Sequence, residues 1–178
     1  MQPSTERAAA VALTDVTEPV LERLLSLALH DADPDEVAPP LGSAQGWNTE
    51  RISWFRAYHR AAAAGLDGPA HQKTWAITAD GELAGSIRLQ RVPDGGTGPS
   101  RAGADTLETG IWLGLGFRGR GIGLAALLLV KARAAEAGAG CLLAETTAGN
   151  SEAQALLRAA GAELTTDGQR VTARFRLP

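Results

Sequence analysis

A glycine-rich segment that joins a strand-like run to a helix-like run constrains the fold more than any other feature of the sequence. It reads "ETGIWLGLGFRGRGIGLAALLL" over residues 108–129, with Arg118 and Arg120 among its glycines. β-Branched and aromatic residues precede the glycines, and leucine and alanine follow them, as is typical of a strand and a helix. The segment therefore predicts a strand, a turn of bare backbone and a helix N-terminus in immediate succession.

The first half of the chain predicts a strand, two helices and a hairpin. "AAVALTDV" is strand-like, and Thr17 is placed to cap a helix that runs to about His30. A second helix is predicted over residues 49–65. Its two faces carry Ile52, Phe55 and His59 on one side and Trp54 and Tyr58 on the other. Two apolar runs around the Asp-Gly pair at residues 80–81 predict a β-hairpin.

The second half predicts alternating strands and helices. A polar, glycine-rich loop over residues 93–105 precedes the strand "TLETGIWLGL", and the helix after the glycines runs from about Ile122 to Ala137. "CLLAETT" is a short buried strand, Asn150 begins a helix that Gly161 ends, and "QRVTARFRL" is a closing strand. Antiparallel pairing followed by a strand–helix–strand crossover predicts one domain, residues 1–178, built on a mixed α/β sheet.

The composition argues against several classes of protein. A formal net charge of −3 disfavours a generally basic nucleic-acid binder. The single cysteine, Cys141, has no partner for an internal disulfide, and we expect it to pack in the core of a cytoplasmic protein. The N-terminal residues lack the apolar run of a signal peptide, and no stretch approaches the ~20 apolar residues of a membrane span. We therefore expect neither a nucleic-acid nor a membrane partner.

The glycine segment has three interpretations. "GLGFRG", residues 114–119, matches the G-x-G-x-x-G dinucleotide fingerprint, but fewer than ~60 residues remain for the further strand–helix units that such a fold needs. "RGRGIG", residues 118–123, instead places R-x-x-G-x-G directly at the helix N-terminus, where backbone amides and two arginines can bind a pyrophosphate. The third interpretation is an ordinary strand-to-helix turn.

On this second motif the sequence resembles the GCN5-related N-acetyltransferase (GNAT) family, whose acetyl-CoA loop reads [RQ]-x-x-G-x-[GA]. "NSEAQALLRAAGA", from Asn150 to Ala162, is similar to a second signature of the family. The resemblance implies a mixed, mostly antiparallel sheet that splays between its fourth and fifth strands and is flanked by helices. It also implies acetyl-CoA as cosubstrate, direct transfer in a ternary complex, and no metal.

The resemblance also implies which residues hold acetyl-CoA. Backbone groups of Leu113 and Leu115 would contact the pantetheine arm, and a strand amide there, assigned to Leu113, would hold the developing oxyanion. Asn150 and Ser151 would lie on the same arm. The pyrophosphate would be bound by the R-x-x-G-x-G loop, namely Arg118, Gly119, Arg120, Gly121, Ile122 and Gly123.

Two residues are candidates for proton transfer. Glu108, in "ETGIWL", resembles the E-x-G-Y-W-L strand of the branch that acetylates ribosomal-protein N-termini and several antibiotics, which implies a general base. A glutamate paired with an arginine on a strand surface is the alternative. Leu157 stands where many members of the family carry a tyrosine acid, so Tyr58, Ser151 or water would protonate the leaving thiolate.

The acceptor is expected to bind residues of the first half. Four acidic residues together with aromatic ones would form a cleft suited to a small cationic amine such as an amino sugar. These residues are Asp31, Asp33, Asp35, Glu36, Trp47, Trp54 and Tyr58, with Glu108 from the later strand. The alternative is a solvated acidic loop that caps the next helix. The first half is most similar to aminoglycoside 2′-N-acetyltransferases that act on kasugamycin-type antibiotics, which implies an antibiotic-resistance enzyme.

The sequence is also compatible with two other functions. A peptide or ribosomal-protein N-terminal acetyltransferase and a non-catalytic acyl-CoA or drug-binding module are the two rival functions. A homodimer is compatible with the sequence. His30, His59 and His71 show no metal-ligand spacing, so we expect no metal site.

Overall fold

The structure, a computed structural model that describes residues 7–93 and 105–178, contains a seven-stranded sheet with helices on both faces. The strands are β1 Val11–Asp15, β2 Gln72–Ala79, β3 Glu82–Arg91, β4 Asp105–Leu113, β5 Ala139–Thr147, β6 Glu163–Asp167 and β7 Arg170–Arg176. The helices are α1 Glu18–Asp31, α2 Pro34–Val37, α3 Thr49–Ala62, α4 Ile122–Glu136 and α5 Ser151–Ala159, with a 3₁₀ turn over Leu115–Phe117.

The sheet is antiparallel except at one place. Its strand order is β1-β2-β3-β4-β5-β7-β6, and only β4 and β5 run parallel, joined by α4. The β2–β3 hairpin turns at Asp80 and Gly81, both with positive φ, as a two-residue turn requires. The mixed sheet and the strand–helix–strand crossover predicted from the sequence are thus confirmed.

Side-chain alternation divides the sheet into two packed faces. The first face packs against α4, with Ile77, Leu107 and Leu142 of the strands around Leu127 and Val130 of the helix. The second face packs against α1 and α3, whose buried side chains are Leu21, Leu24, Leu25, Ala28 and Phe55. Because α1 and α3 cover the second face only in part, β3 and β4 remain accessible there.

Strands β4 and β5 separate halfway along their length. Their pairing runs from Asp105 opposite Ala139 to Glu108 opposite Leu143, whereas β4 continues to Leu113 and β5 to Thr147. A gap therefore opens between the two strands beyond Glu108. This is the splay between the fourth and fifth strands that the family resemblance implied.

Some elements differ from the expectations. A short helix, α2, which was not predicted, lies between the two helices expected in the first half, and Asp33 caps it by accepting from the Asp35 amide. Thr17 stands at the N-cap of α1 but its side chain makes no capping bond. The strand β6, which pairs with β7, was missed, and α3 ends at Ala62 rather than near Gly65. Most of the predicted glycine-rich loop, residues 94–104, lies outside the described residues.

Candidate active site

The gap between β4 and β5 presents unpaired backbone amides. The amide of Gly114 donates to the Ala84 carbonyl of β3. Because N–H groups alternate in direction along a strand, every second residue of β4 counted back from Gly114 also points its N–H group toward β3. The intervening residues, Ile111 and Leu113, point theirs toward the gap, where no strand pairs with them. Leu113 was predicted to act through its backbone; Ile111 was not singled out from the sequence.

The N-terminus of α4 lies beside this gap. A side chain at Gly123 would come within 3.5 Å of Leu113 of β4 and 3.4 Å of Leu156 of α5. Gly119 and Gly121 have φ of 69° and 77°, which the tight turn into the helix requires. The predicted acetyl-CoA loop therefore brings β4, α4 and α5 together.

The first amides of α4 are available to an anion. The first helical bond runs from the Ala125 amide to the Gly121 carbonyl, so the amides of Ile122 and Gly123 have no partner within the helix. Arg120 is exposed, lies over the Phe117 ring at 5.6 Å, and has no carboxylate partner in the described part of the chain. Their free N–H groups and positive charge are of the kind that binds phosphate, and phosphate binding by them stays a prediction.

Arg118 is placed differently from its neighbours. Its guanidinium donates back to the Leu113 carbonyl, at 3.3 Å and 3.2 Å from Nε and Nη2, and forms an ion pair with Glu36. Arg118 thus joins the end of β4 to the segment that follows α1. A phosphate contact by this side chain stays a prediction, and it would require Arg118 to exchange at least one of these partners.

The acidic segment of residues 31–36 is committed to internal contacts. Asp31 accepts from the Gly116 amide at 3.0 Å, and Asp33 caps α2. Asp35 binds Arg51 at 2.7 Å, and Glu36 binds Arg118. Only Asp33 acts as a helix cap, and α3, the next predicted helix, is capped by Asn48 instead. A contact of this segment with an acceptor stays a prediction. Asp31, Asp33 and Asp35 line one cavity, of about 790 Å³, and Asp35 and Glu36 border another, which is walled by aromatic residues of α3.

That cavity, of about 380 Å³, lies between α3, the segment after α1 and the accessible face of β3 and β4. Trp54 and Tyr58 are stacked with 4.7 Å between ring centroids, and together with Trp112 they form aromatic walls. Trp47 does not line the cavity; it packs edge-on against Phe55, with ring centroids 6.4 Å apart. The volume falls in the range of small-molecule sites, ~300–1,000 Å³.

Polar side chains of the second sheet face and α3 line the deeper part of the cavity. His59 is 3% exposed, and its Nδ1 lies 3.0 Å from the Thr74 hydroxyl. Burial lowers the pKa of His59 to about 4, so the imidazole is neutral at physiological pH. Ser86 and Arg88 lie on the same floor. The sequence had placed His59 only on one face of a helix, with Ile52 and Phe55, and outside any metal site.

Glu108, Arg88 and Tyr58 form one cluster. Arg88 donates to Glu108 at 2.7 Å, so the arginine partner considered as an alternative for Glu108 is present. Burial raises the pKa of Tyr58, the Arg88 charge opposes that shift and the Glu108 charge adds to it. The structure thus brings together the two residues predicted to transfer protons, and adds Arg88, which was not predicted.

Of the three residues singled out in or next to α5, two lie at the surface and one lies in the core. Asn150 is its N-cap and accepts from the Ala153 amide at 3.0 Å, which leaves its side-chain NH₂ for a ligand. Ser151 is exposed in the first turn. Leu157, at the position of the missing tyrosine, is 6% exposed and packs in the main core. It offers no proton donor.

Within residues 7–93 and 105–178, no three His, Cys, Asp or Glu side chains are grouped as a metal site would need. Across the same residues no helix has both the length and the apolar character needed to span a membrane.

Comparison with known families identifies one match. The family model described as "Acetyltransferase (GNAT) family" matches residues 41–162, which include β4, the glycine loop, α4 and α5. A search of curated proteins finds no match to the chain.

Solved structures share the fold at low sequence identity. The GNAT domain of S. lividans PAT is 24% identical over 95% of this chain and 90% of its own, with a TM-score of 0.69. Mycobacterium smegmatis RimJ, solved with a CoA disulfide, is 17% identical over 95% and 83%, with a TM-score of 0.72. RimL, a ribosomal L7/L12 α-N-protein acetyltransferase solved with coenzyme A, is 16% identical over 94% of both chains, with a TM-score of 0.71.

Proposed function

The chain belongs to the acetyltransferase (GNAT) family, a family of acyltransferases, and from this we propose that it transfers the acetyl group of acetyl-CoA to the amino group of a small cationic molecule. The observation that carries the proposal is the position of the acceptor cavity. Gly110, Ile111 and Trp112 of β4 line that cavity, and the same stretch of β4 borders the gap beside the α4 N-terminus. A thioester in the gap and an amine in the cavity would meet across one strand.

The cosubstrate would be held mainly by backbone groups. The α4 amides and Arg120 suit its pyrophosphate, and the Asn150 side-chain NH₂ suits an amide of the pantetheine arm. The Ile111 and Leu113 amides, which face the gap, would stabilise the negative charge that develops on the thioester oxygen. These contacts need no side-chain chemistry beyond the arginine and the asparagine.

Side chains near the cavity would move the protons. The amine must lose a proton before it attacks the carbonyl carbon; a C–N bond then forms and the C–S bond breaks. Glu108, directly or through a water, would take the proton from the amine. Tyr58 remains protonated at neutral pH because burial raises its pKa, so it would supply a proton to the thiolate in place of the absent tyrosine.

We propose amino sugars, with kasugamycin as the first candidate, as the acceptor class. The stacked Trp54 and Tyr58 and the nearby Trp112 offer flat faces to a sugar ring or to a cation. Asp35 and Glu36 border the same cavity. Both carboxylates are already paired with arginines, so the aromatic walls carry more of this proposal than the charges do.

A second candidate acceptor is the N-terminus of a peptide. The pairing of Asp35 and Glu36 with arginines favours it, because a terminal residue brings one positive charge whereas an aminoglycoside brings several. RimL, which shares the fold, is a ribosomal L7/L12 α-N-protein acetyltransferase. A peptide would enter the cavity with its first residue and leave the rest outside.

The first experiment follows free thiol release from acetyl-CoA with kasugamycin, other aminoglycosides and short peptides as acceptors. Acceptor-dependent release, with one acetyl group added to the product by mass spectrometry, identifies the class. Release with peptides alone would replace the amino-sugar proposal by the peptide one. Acetyl-CoA binding without release for any acceptor would favour a non-catalytic acyl-CoA or drug-binding module.

A further inference from the structure

Arg88 of β3 crosses β4 at a glycine to reach Glu108. Arg88 lies directly opposite Gly110, and Glu108 lies opposite Gln90, so all four residues share the second face of the sheet. The Arg88 guanidinium donates to Glu108 Oε1 at 2.7 Å and to Gln90 Oε1 at 3.1 Å. Its position is therefore defined by a neighbour on its own strand and one on the next.

Gly110 provides the space that this crossing needs. A Cβ at Gly110 would lie 2.7 Å from Arg88 Nε, 3.2 Å from Nη2 and 3.3 Å from Cζ. Gly110 does not have the positive φ found in the turns of this chain, so its backbone conformation suits any residue. The absence of a side chain matters here only because the guanidinium lies over the glycine.

We propose that Arg88 and Gly110 are positioning residues that hold Glu108 for proton transfer, an inference that rests on the proposed role of Glu108 as base. Glu108 marks the last paired position before β4 and β5 separate. Arg88 and Gly110 line the acceptor cavity, whereas Glu108 lies two residues beyond Gly110 on the same face. Arg88 is thus the side chain that connects the cavity to the carboxylate.

This arrangement has two consequences for the acceptor. Arg88 occupies one oxygen of Glu108, while Oε2 has no hydrogen-bond partner among the described residues and is left for the amine or a bridging water. The fixed positive charge of Arg88 also disfavours an ammonium group nearby, which assists loss of the proton. Arg88 therefore orients the base and promotes the neutral form of the nucleophile.

The test begins with Arg88→Met, Arg88→Lys and Gly110→Ala, each assayed with the acceptor found in the thiol-release screen. We expect Arg88→Met and Gly110→Ala to lower kcat roughly tenfold to a hundredfold, the cost of a misplaced catalytic group. The KM for acetyl-CoA should stay unchanged, because its contacts lie across the gap. Arg88→Lys keeps the charge and should recover part of kcat.

A double variant separates positioning from a general structural effect. Once Arg88 is methionine there is no guanidinium for the Gly110 Cβ to displace, so Gly110→Ala should add little to Arg88→Met. Likewise, Arg88→Met should add little in a Glu108→Gln background. Fully additive losses in both pairs would overturn the proposal, as would wild-type kcat in Gly110→Ala. Thermal unfolding of each variant verifies that the comparison is made on folded protein.

Arg91→Met is the matched control. Arg91 lies on the same strand, three residues further on, and pairs with Asp67 and with Asp105 of β4. Its loss should leave kcat near the wild-type value, and an equal loss would overturn the proposal. If Glu108→Gln retains full turnover, the proposed base itself is wrong. If Glu108→Gln fails while Arg88→Met and Gly110→Ala are fully active, only the positioning inference is wrong.

Discussion

The two sides of β4 bind by different means. On the side of the gap, the groups available to a ligand are backbone amides of Ile111, Leu113 and the α4 N-terminus. On the side of the cavity they are side chains, with Arg88, Tyr58 and His59 among them. The first side can bind the same cosubstrate in many sequences, because backbone groups do not change with residue type. The second side can change its ligand with single substitutions.

The largest effect is expected from Glu108→Gln, which tests whether the cavity side holds the base. Removal of a general base lowers turnover about a hundredfold or more, while the KM for acetyl-CoA should not change because that ligand is held on the other side. Steady-state kinetics of thiol release measures both. Asp105→Asn, a carboxylate of the same strand that pairs with Arg91, serves as control. A rise in the KM for acetyl-CoA would show that Glu108 also affects acetyl-CoA binding, so that the gap side and the cavity side do not act independently.

The next effect concerns stability and the buried imidazole of the cavity. The pKa of His59 is about 4 in the folded protein and near 6.5 when unfolded, so below pH 6.5 the unfolded chain binds a proton that the folded chain does not. The free energy of unfolding should therefore fall as the pH drops from about 6.5 to about 4, with about 2 kcal/mol lost at pH 5.

Urea unfolding at pH 7 and pH 5 measures this loss. His59→Gln, which does not titrate, should remove it, and the difference between wild type and variant cancels the carboxylates that titrate in the same range. If both proteins lose equal stability between the two pH values, His59 is not buried as a neutral group. We expect no such pH dependence on the gap side, because the groups proposed to bind acetyl-CoA there are backbone amides and arginines.

A smaller effect is expected from Gly121→Val, which acts on the gap side. Gly121 has φ of 77°, which a β-branched residue adopts only with strain, so the turn into α4 should move and the amides with it. We expect the KM for acetyl-CoA to rise about tenfold through loss of roughly one or two charge-assisted contacts, with the acceptor KM unchanged. Gly138→Val is the control, because Gly138 has φ of 87° at the far end of α4.

The smallest effect is expected from Tyr58→Phe, which keeps the ring stacked on Trp54 and removes only the hydroxyl. A CoA thiolate is a stable leaving group, so loss of its proton donor should lower kcat only several-fold, below the ~10² range of stronger acid catalysis. Thiol release under saturating acetyl-CoA measures it. A loss as large as that of Glu108→Gln would make Tyr58, rather than Glu108, the main proton-transfer residue.

The sequence predicted the gap side better than the cavity side, for a physical reason. A turn of bare backbone at a helix N-terminus needs glycines at fixed spacing, so Gly119, Gly121 and Gly123 are visible in the sequence. The contact between Arg88 and Glu108 depends on the register of β3 and β4, which the sequence alone does not determine.

The acidic segment illustrates the same limit over a longer distance. Four carboxylates close together in sequence suggested a site for a cationic ligand. Asp33 accepts from the nearby Asp35 amide, but the other three bind Gly116, Arg118 and Arg51, and two of these partners lie more than eighty residues away along the chain. No local pattern shows that a carboxylate will bind such a distant partner, so these contacts could be identified only in three dimensions.

The contacts of Asp31 with the Gly116 amide and of Glu36 with Arg118 join the border of the acceptor cavity to the glycine loop. If residues 31–36 contact the acceptor as proposed, substitutions there that broaden the range of acceptors should also disturb the loop that precedes α4. Laboratory evolution of this enzyme toward a new amine would then select compensating changes near Arg118, far from the amine itself. Acceptor choice and acetyl-CoA binding would therefore change together.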